Sequence, residues 1–238
     1  MKNLFICICC ALCLSAKAQE TVSKSYPAQP GQQISLRFDY PVVKISTWDK
    51  NEVSVIAHVN INEHENDSAF ELTQSLDNGE MTIRDRIKNM DQLPRRYTIV
   101  SNGVKKVFKT KEDYEEARKQ GNIQQSYEGM DIEITLEIKV PAQCSTRLHA
   151  IYGIVELTNF NAPINIDATY GGIDATVSTQ NTGKLQATTH YGQIYSNLDM
   201  RITAHEEHDF YSSITAEPGK GPAYIFSSDY GKIYLRKP

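Results

Sequence analysis

Cysteine is scarce in this chain of 238 residues outside its N-terminal segment. Four of the five cysteines are Cys7, Cys9, Cys10 and Cys13, and the fifth is Cys144. Because the first four lie in a predicted leader, the mature chain would keep one thiol, which excludes an internal disulfide. A hydrophobic core must therefore hold the fold, and we interpret Cys144 as a buried thiol rather than a nucleophile or an intermolecular bridge.

Long apolar runs are also lacking after the N-terminal segment. Residues 1–18 combine Lys2, an apolar run over residues 4–14 and the sequence Ala16-Lys17-Ala18, a pattern typical of a secretory signal peptide. The run is shorter than the roughly 20 residues that span a bilayer as a helix. We expect cleavage before Gln19, no transmembrane segment in the mature chain, and a protein that is periplasmic, outer-membrane-associated or extracellular.

The leader leaves one alternative open. Cys13 would carry a lipid anchor if the segment were a lipoprotein signal. Leu12 stands, however, where lipid-modified signals usually carry a small residue. The sequence therefore favours a cleaved leader over an acylated cysteine.

An excess of positive charge and the common catalytic motifs are absent as well. Of 25 Lys and Arg, two lie in the leader, which leaves 23 against 29 Asp and Glu and a net charge of −6 with neutral His. That balance argues against a nucleic-acid partner. The chain has no Gly-x-Ser-x-Gly sequence and no phosphate-binding glycine loop. We therefore predict a protein that is not an enzyme and that carries no cofactor and no metal.

A short motif recurs in the last part of the chain: Tyr, a small residue, any residue, then Ile or Val. The copies begin at Tyr152, Tyr170, Tyr191, Tyr211 and Tyr230, with spacings of 18, 21, 20 and 19 residues. A period near twenty with short strand-like flanks is typical of stacked coils. The motif predicts an all-β, single-stranded solenoid-like stack of coils of about 18–21 residues.

The residues around each Tyr predict how a coil faces the core. Positions two and four before the Tyr are small or apolar, as at Ala168 and Ile166, and the positions between them are mostly polar. We expect the Tyr column to stack, with Tyr170 buried between Tyr152 and Tyr191. The glycines that follow each Tyr would let the backbone bend: Gly153, Gly171, Gly192 and Gly231. Ser212 after Tyr211 and the polar residues before it predict a distorted coil or a coil with a local loop.

The N-terminal half contributes a sixth copy at Tyr40 and a β-cap. Alternation over residues 53–61 predicts a strand, and Asp77-Asn78-Gly79 predicts a hairpin turn. The period is lost over residues 89–127, where Thr110 is placed to cap a short helix that ends at Gly121. We divide the chain into a signal peptide (1–18), an N-terminal β-cap with the first coils (19–88), an insertion (89–127) and C-terminal repeats (128–238). The insertion is either a solvated surface element or an arm that contacts a partner.

Aligned coils would place polar side chains in outward columns. One column would run from Arg37 through His149, Asp167, Thr188, His208 and Ser227, and the next would hold Asp39, Thr169, His190 and Asp229. Tyr195 and Tyr234 would also point outward after the turn and suit carbohydrate or protein contact. The candidate binding face consists of His149, Asp167, Thr169, Thr188, His190, Tyr195, Asp229 and Tyr234.

Two other kinds of site can be considered in the repeats, a metal site and a glycoside-hydrolase site. His205-Glu206-Glu207-His208-Asp209 carries metal-ligating side chains, but two His three apart do not match the zinc-protease spacing of four. A β-helix hydrolase would need paired carboxylates within roughly 5 to 9.5 Å. Asp167 with Asp174 and Asp39 with Asp229 are the pairs that raise the question. We favour an exposed polar turn over the metal site and a solvated sheet face over the hydrolase site.

The chain resembles the bacterial putative-adhesin family, a repetitive β-solenoid domain of unknown function. The resemblance rests on the order of four features: the lead-in Tyr26-Pro27-Ala28-Gln29-Pro30-Gly31, residues 45–55 with Trp48-Asp49 and Glu52-Val53, Val140-Pro141-Ala142, and the glycine turns at Gly153, Gly171, Gly192 and Gly231. It covers most of the mature chain except residues 89–127. The chain departs from the family pattern by placing Tyr where Ser or another small residue is expected.

The resemblance implies a secreted or envelope-exposed repeat protein. We predict a non-enzymatic, adhesin-like protein that binds a glycan or an envelope protein through a repetitive β face. Two alternatives stay open: a structural or signalling-associated periplasmic scaffold without its own ligand, and a polysaccharide-acting β-helix enzyme.

Overall fold

The computed structural model describes residues 20–238, so the predicted signal peptide and the Cys13 alternative lie outside the described residues. The described chain forms twenty strands, the helix α1 (Lys111–Lys119) and short 3₁₀ turns at Asp67–Ala69, Met90–Gln92 and Thr179–Asn181. The strands are, in chain order, β1 (Glu20–Pro27), β2 (Gln33–Phe38), β3 (Val42–Trp48), β4 (Glu52–Ile61), β5 (Phe70–Asp77), β6 (Glu80–Ile87), β7 (Arg96–Ser101), β8 (Val104–Phe108), β9 (Gln125–Gly129), β10 (Ile132–Pro141), β11 (Ser145–Ala150), β12 (Val155–Leu157), β13 (Ile164–Ala168), β14 (Ile173–Thr176), β15 (Lys184–Thr189), β16 (Ile194–Ser196), β17 (Ile202–His208), β18 (Tyr211–Ala216), β19 (Ala223–Ser228) and β20 (Ile233–Arg236).

Two large sheets enclose one hydrophobic core. The eight-stranded sheet has the order β1-β4-β10-β3-β12-β14-β20-β16, and the nine-stranded sheet has the order β17-β18-β15-β19-β13-β11-β2-β6-β5. Both sheets take strands from before and after the predicted insertion. The prediction of an all-β chain with one short helix is confirmed. Among residues 20–238, no helix is long and apolar enough to span a membrane.

Five strand-turn-strand units, which we call rungs, cross from the nine-stranded sheet to the eight-stranded sheet. Each rung is named by the Tyr at its turn, and in spatial order they are the Tyr40 rung (β2, β3), the Tyr152 rung (β11, β12), the Tyr170 rung (β13, β14), the Tyr230 rung (β19, β20) and the Tyr191 rung (β15, β16). Neighbouring rungs pair in parallel and in register, so that Leu148 lies beside Leu36 and Ile166.

The order of the rungs differs from the expected order along the chain. The Tyr230 rung is the last in sequence, yet it pairs on one side with the Tyr170 rung and on the other with the Tyr191 rung. Every rung has the same alternation of buried and exposed positions, so periodicity alone does not distinguish a rung that follows its predecessor from one that is inserted later.

The predicted inward positions are confirmed across the rungs except at Ile194, which is half-buried. Leu148, Ile166 and Phe226 are fully buried on the nine-stranded sheet, and they face Val155 and Ile173 of the eight-stranded sheet. Burial of each such side chain contributes about 1.5–3 kcal/mol relative to exposure. Strand β4 alternates between buried and half-buried positions along its whole length, as residues 53–61 predicted.

The first hairpin follows its sequence signal. Strands β5 and β6 pair in antiparallel fashion across the turn, where Asn78 and Gly79 both have positive φ (49° and 84°). Two consecutive left-handed residues give the turn type that matches the twist of a two-residue hairpin. The predicted hairpin is therefore confirmed, and it closes one end of the nine-stranded sheet.

The insertion contains more structure than periodicity indicated. Helix α1 begins after Thr110, whose side chain accepts a hydrogen bond from the Asp113 backbone N–H, as predicted. Strands β7, β8 and β9 form a separate three-stranded antiparallel sheet that the sequence analysis missed. Asn102 and Gly103, both with positive φ, connect β7 to β8, and an Asn-Gly pair between apolar runs is the signal that would have identified this hairpin.

The Tyr211 copy is an antiparallel hairpin rather than a distorted coil. Strand β18 pairs with β15 and with β17, and β17 forms the edge of the nine-stranded sheet. Phe210, at φ 61°, lies in the tight turn between them. Residues 205–208 of the predicted exposed turn are thus part of strand β17, so that prediction is wrong there. Tyr211 does not belong to the column formed by the other five tyrosines.

Candidate functional site

The tyrosines at the five turns form a stacked column along one edge of the molecule, which we call the tyrosine ridge (Tyr40, Tyr152, Tyr170, Tyr230 and Tyr191). Successive ring centroids lie 5.6, 5.3, 5.1 and 5.0 Å apart, and the interplanar angles do not exceed 18°. Phe210 extends the column at a centroid distance of 5.5 Å from Tyr191. The prediction that these tyrosines stack is confirmed.

The expected burial of the ridge is wrong. Tyr170 is 54% exposed, and its ring stacks between Tyr152 and Tyr230 rather than Tyr191. The residues two and four positions earlier are buried as predicted, but the strand ends before the Tyr, and the turn directs the ring to solvent. Ring faces are therefore covered by neighbouring rings. Tyr152, Tyr170, Tyr191 and Tyr230 remain more than half exposed, whereas the Tyr40 hydroxyl donates to Met90 Sδ.

Regular backbone hydrogen bonds position the ridge. The N–H of Tyr152 donates to the Asp39 carbonyl at 2.9 Å, and those of Tyr170, Tyr230 and Tyr191 donate to the residue that precedes the Tyr of the neighbouring rung. Each ring is thereby held one strand spacing, about 4.8 Å, from the next. The rigid spacing is a property of the backbone rather than of the rings.

The glycine after each Tyr is required because the backbone of the neighbouring rung lies too close for a side chain, and not because the glycine has a positive φ. A Cβ at Gly171 would overlap the Gly153 carbonyl oxygen, and a Cβ at Gly231 would overlap the Gly171 carbonyl oxygen. Gly153 likewise faces the carbonyl of Pro41 in the first rung. Because all these contacts point toward the Tyr40 rung, the first rung can carry Pro41 where the later rungs carry glycine.

The structure brings six members of the predicted binding face together on the outer side of the nine-stranded sheet. His149 lies beside Asp167, with 3.4 Å between Nδ1 and Oδ2, and His190 lies beside Asp229, with 3.1 Å between Nδ1 and Oδ1. Thr188 contacts Ser213 through their hydroxyl groups. The six residues in this group, which we call the histidine–aspartate face, are His149, Asp167, Thr169, Thr188, His190 and Asp229. His208 pairs with Tyr211 in the terminal hairpin, so it does not continue the column as predicted.

Tyr195 and Tyr234 lie on the other sheet. Their rings stack at 5.1 Å on the outer side of the eight-stranded sheet. Arg236 lies 4.9 Å from the Tyr234 ring centroid and makes a bidentate pair with Asp174, at 2.6 and 2.9 Å. The predicted binding face is therefore divided between two opposite surfaces, because Tyr195 and Tyr234 follow the turn and the other six residues precede it.

The carboxylate pairs considered for glycoside hydrolysis are not brought together. Asp167 lies on the nine-stranded sheet and Asp174 on the eight-stranded sheet. Asp39 and Asp229 are separated by two intervening rungs, which corresponds to about 14 Å at the usual strand spacing. That distance exceeds the roughly 5 to 9.5 Å that either hydrolytic geometry needs. Within residues 20–238, no group of three or more His, Cys, Asp or Glu side chains is arranged to hold a metal ion.

An aspartate occupies the start of the ridge. The Asp39 backbone N–H donates to Oδ1 of Asp85 at 3.0 Å, so the carboxylate takes the place of the carbonyl that a preceding rung would supply. Burial raises the pKa of Asp85 to about 6, and the nearby Asp39 charge adds to this rise against the lowering effect of the backbone hydrogen bonds. Burial, followed by the charge of Asp39, also raises the pKa of Tyr40 above its ordinary value.

A groove of about 540 Å³ lies at the opposite end, between the Tyr191 rung and the β17–β18 hairpin. Its lining includes the apolar side chains of Ile194, Ile202 and Ile214 and the polar side chains of His205 and Glu207. We call it the terminal groove. Sequence periodicity did not predict the terminal groove. The groove arises because β18 and β17 extend the nine-stranded sheet, whereas the eight-stranded sheet ends at β16.

Comparison with solved structures identifies a similar fold. The chain superimposes with a TM-score of 0.50 on a putative cell adhesion protein from Clostridium sporogenes, with 9% identity, over 93% of this chain and 100% of that one. A putative adhesin from Bacteroides fragilis is aligned over 92% of this chain and 98% of that one, with 8% identity and a TM-score of 0.23. No protein-family model and no curated protein sequence matches the chain. The first likeness shows that this chain shares its fold with a protein described as adhesive.

Proposed function

We propose that this protein is an exported, non-enzymatic, adhesin-like envelope or surface protein whose five rungs form a solenoid-like binding scaffold. The tyrosine ridge is the observation that carries the proposal. Four of its tyrosines are more than half exposed, and they are held at a regular spacing by backbone hydrogen bonds. Exposed aromatic side chains in contiguous patches mark interaction surfaces.

Of the two ligand classes suggested by the sequence, the geometry favours a protein. Sugar rings stack on aromatic faces, but the faces of the ridge tyrosines are covered by each other. The ridge instead offers ring edges and phenol hydroxyl groups, and tyrosine is enriched among the residues that dominate protein–protein binding. A pre-ordered ridge also loses little conformational entropy on binding.

The neighbouring histidine–aspartate face would form the polar rim of this surface. His190 and Asp229 immediately precede the ridge tyrosines Tyr191 and Tyr230, so that a partner seated on the ridge would contact them. Exposed contacts of this kind contribute little to stability, typically about 0–1 kcal/mol. Their contribution would be to the rate and specificity of association.

The proposal is tested with the mature chain immobilised against a panel of extracellular-matrix and bacterial envelope proteins and a glycan array. The test variant is the triple substitution Tyr152→Ser, Tyr170→Ser, Tyr230→Ser, and the control is Tyr195→Ser with Tyr234→Ser on the other sheet. We expect binding to a protein of the panel that the ridge variant weakens about tenfold or more and the control variant leaves unchanged.

Other results would favour the alternatives. Glycan binding that is lost in the Tyr195, Tyr234 control variant would move the site to the eight-stranded sheet. Co-purified envelope proteins with no effect of the ridge variant would favour the scaffold. Release of reducing or unsaturated sugars from a polysaccharide panel, abolished by Asp167→Asn, would contradict the non-enzymatic assignment.

A further inference from the structure

The two large sheets end unequally at the terminal groove. Strands β15 and β16 belong to the same rung, but the nine-stranded sheet continues past β15 with β18 and β17, whereas the eight-stranded sheet ends at β16. The hairpin therefore overhangs a space that two strands of the eight-stranded sheet would fill. At about 4.8 Å per strand, the first of these positions is the width of one extended chain.

A regular series of hydrogen bonds stops at this edge. In the eight-stranded sheet, the N–H of Val43, Val155, Ile173 and Ile233 each donates to the second residue after the Tyr of the next rung, at 2.9 to 3.0 Å. Ile194 holds the corresponding position in the last rung, and β16 has no further strand beside it in the described chain. The alternation of a parallel ladder directs the N–H and C=O groups of Ile194 and Ser196 to the open edge, because Tyr195 and Asn197 face β20.

The side chains of the groove have a mixed character. Ile214 of β18 is buried, and Ile202 of the edge strand β17 is exposed. His205 pairs across the hairpin with Ile214, and Glu207 pairs with Ser212, so both share the face of β17 that is directed into the groove. A peptide bound in an extended conformation would contact apolar side chains at some positions along its length and the Glu207 carboxylate at another.

The surrounding segment carries more acidic than basic side chains. Residues 197–217 contain five carboxylates, at Asp199, Glu206, Glu207, Asp209 and Glu217, and one basic side chain, Arg201. Asp199 is paired with Lys237 at 2.6 Å, whereas Glu207 has His205 Nε2 at 3.6 Å from its carboxylate and is 72% exposed. An exposed carboxylate directed into the groove favours a cationic side chain on the occupant. A second copy of this acidic segment would place like charges together, which disfavours self-pairing at β17 in registers that oppose Glu206 and Glu207.

We infer that the terminal groove is a strand-addition site for a partner protein. An extended segment with alternating apolar and Lys or Arg side chains adds to β16 as the next strand of the eight-stranded sheet. Its backbone forms hydrogen bonds with the N–H and C=O groups of Ile194 and Ser196. Its apolar side chains pack on Ile194 and Ile214, and a basic side chain pairs with Glu207. Backbone pairing supplies affinity in this mode, and side-chain pockets supply specificity.

The probe is a phage-displayed library of random peptides about ten residues long, the length of a typical long strand, selected on the mature chain. We expect enriched peptides to alternate apolar and basic residues. Ser196→Pro removes the edge N–H and is compared with Ser196→Ala, since both lose the hydroxyl that accepts the Leu198 N–H. The Pro variant should weaken binding about tenfold, and the Ala variant should not.

A charge pair gives a second, independent comparison. Glu207→Lys should weaken the enriched peptides about tenfold, whereas Glu206→Lys on the opposite face of the same strand should change binding less than about twofold. Circular dichroism melting establishes that each variant folds, and if Ser196→Pro does not fold, the Glu207 and Glu206 variants decide. The Tyr152, Tyr170, Tyr230 ridge variant should bind the peptides normally, which separates this site from the proposed ridge.

Three outcomes would overturn the inference. These are selection that enriches no peptide, enriched peptides that are acidic, and peptides whose binding both Ser196→Pro and Glu207→Lys leave unchanged. Self-association of the mature chain in sedimentation velocity, lost in Ser196→Pro, would identify a second copy as the occupant and would also reject a partner protein.

Discussion

The two ends of the tyrosine ridge differ in how their strand edges are capped. At the Tyr40 end, the Asp85 carboxylate accepts the Asp39 N–H, and the β5–β6 hairpin covers the rung. At the Tyr191 end, β18 covers β15 in the nine-stranded sheet, but β16 remains an edge of only three residues. One end thus replaces the missing rung with a side chain, and the other leaves the position of a strand open.

This difference suggests separate roles for the two ends, one in stabilising the fold and one in binding. Repeat arrays need capped ends, because an exposed strand edge invites pairing with other chains. The Asp85 end meets that need at the cost of burying a carboxylate. At the Tyr191 end, unwanted pairing with other chains is limited because the edge strand β16 is very short. The acidic β17–β18 hairpin further restricts which chains can pair with β16. We therefore assign the capped end to the fold and the open end to binding.

The largest effect is expected for a glycine between the two ends. Gly171→Ala places a Cβ against the Gly153 carbonyl oxygen, so the rungs must separate, and we expect a loss of about 3 kcal/mol in the free energy of unfolding. Urea denaturation followed by tryptophan fluorescence measures it.

Gly129 is the matched control for that substitution. A Cβ at Gly129 meets no atom within 4 Å, so Gly129→Ala should change stability by less than about 0.5 kcal/mol. Equal effects of the two substitutions would show that close approach between rungs is not what selects glycine.

The capped end gives a pH-dependent prediction. The pKa of Asp85 is raised from 3.8 to about 6, so the folded state binds its proton more tightly than the unfolded state does. The contribution of Asp85 to stability is then greatest below pH 4 and is lost as the pH rises through 6. Relative to Asp85→Asn, the wild-type chain should lose about 2 kcal/mol of unfolding free energy between pH 4 and pH 7.5.

The comparison with Asp85→Asn isolates this group, because the amide oxygen can still accept the Asp39 N–H but does not ionise. Thermal melts of both proteins across the pH range provide the measurement. Parallel stability curves would contradict the buried carboxylate as the cap of the first rung.

Sequence periodicity predicted the local structure well. The alternation at Ile166 and Ala168, the Thr110 helix cap and the Asn78-Gly79 turn all depend on neighbouring residues, and the structure confirms them. The exposure of Tyr170 was mispredicted, because alternation was extended past the point where the strand ends. A turn changes side-chain direction, and period-two reasoning holds only within a strand.

The binding surfaces were less predictable, because they depend on which rungs become neighbours. Nothing in the Tyr230 copy distinguishes an inserted rung from a terminal one, and nothing in Ile194 indicates that its N–H lies at an edge. The division of His149 and Tyr195 between opposite sheets follows from the turn and could have been derived. The terminal groove could not, since it requires the strand order of both sheets.

Amide hydrogen exchange measured by NMR on residues 20–238 tests the difference between the two ends most directly. The N–H groups of Val155, Ile173 and Ile233 should be strongly protected, whereas Ile194 should exchange rapidly and should become protected when an enriched peptide binds. The Asp39 N–H at the capped end should be protected in the free protein. Protection of Ile194 equal to that of Ile233 without any ligand would contradict an open end.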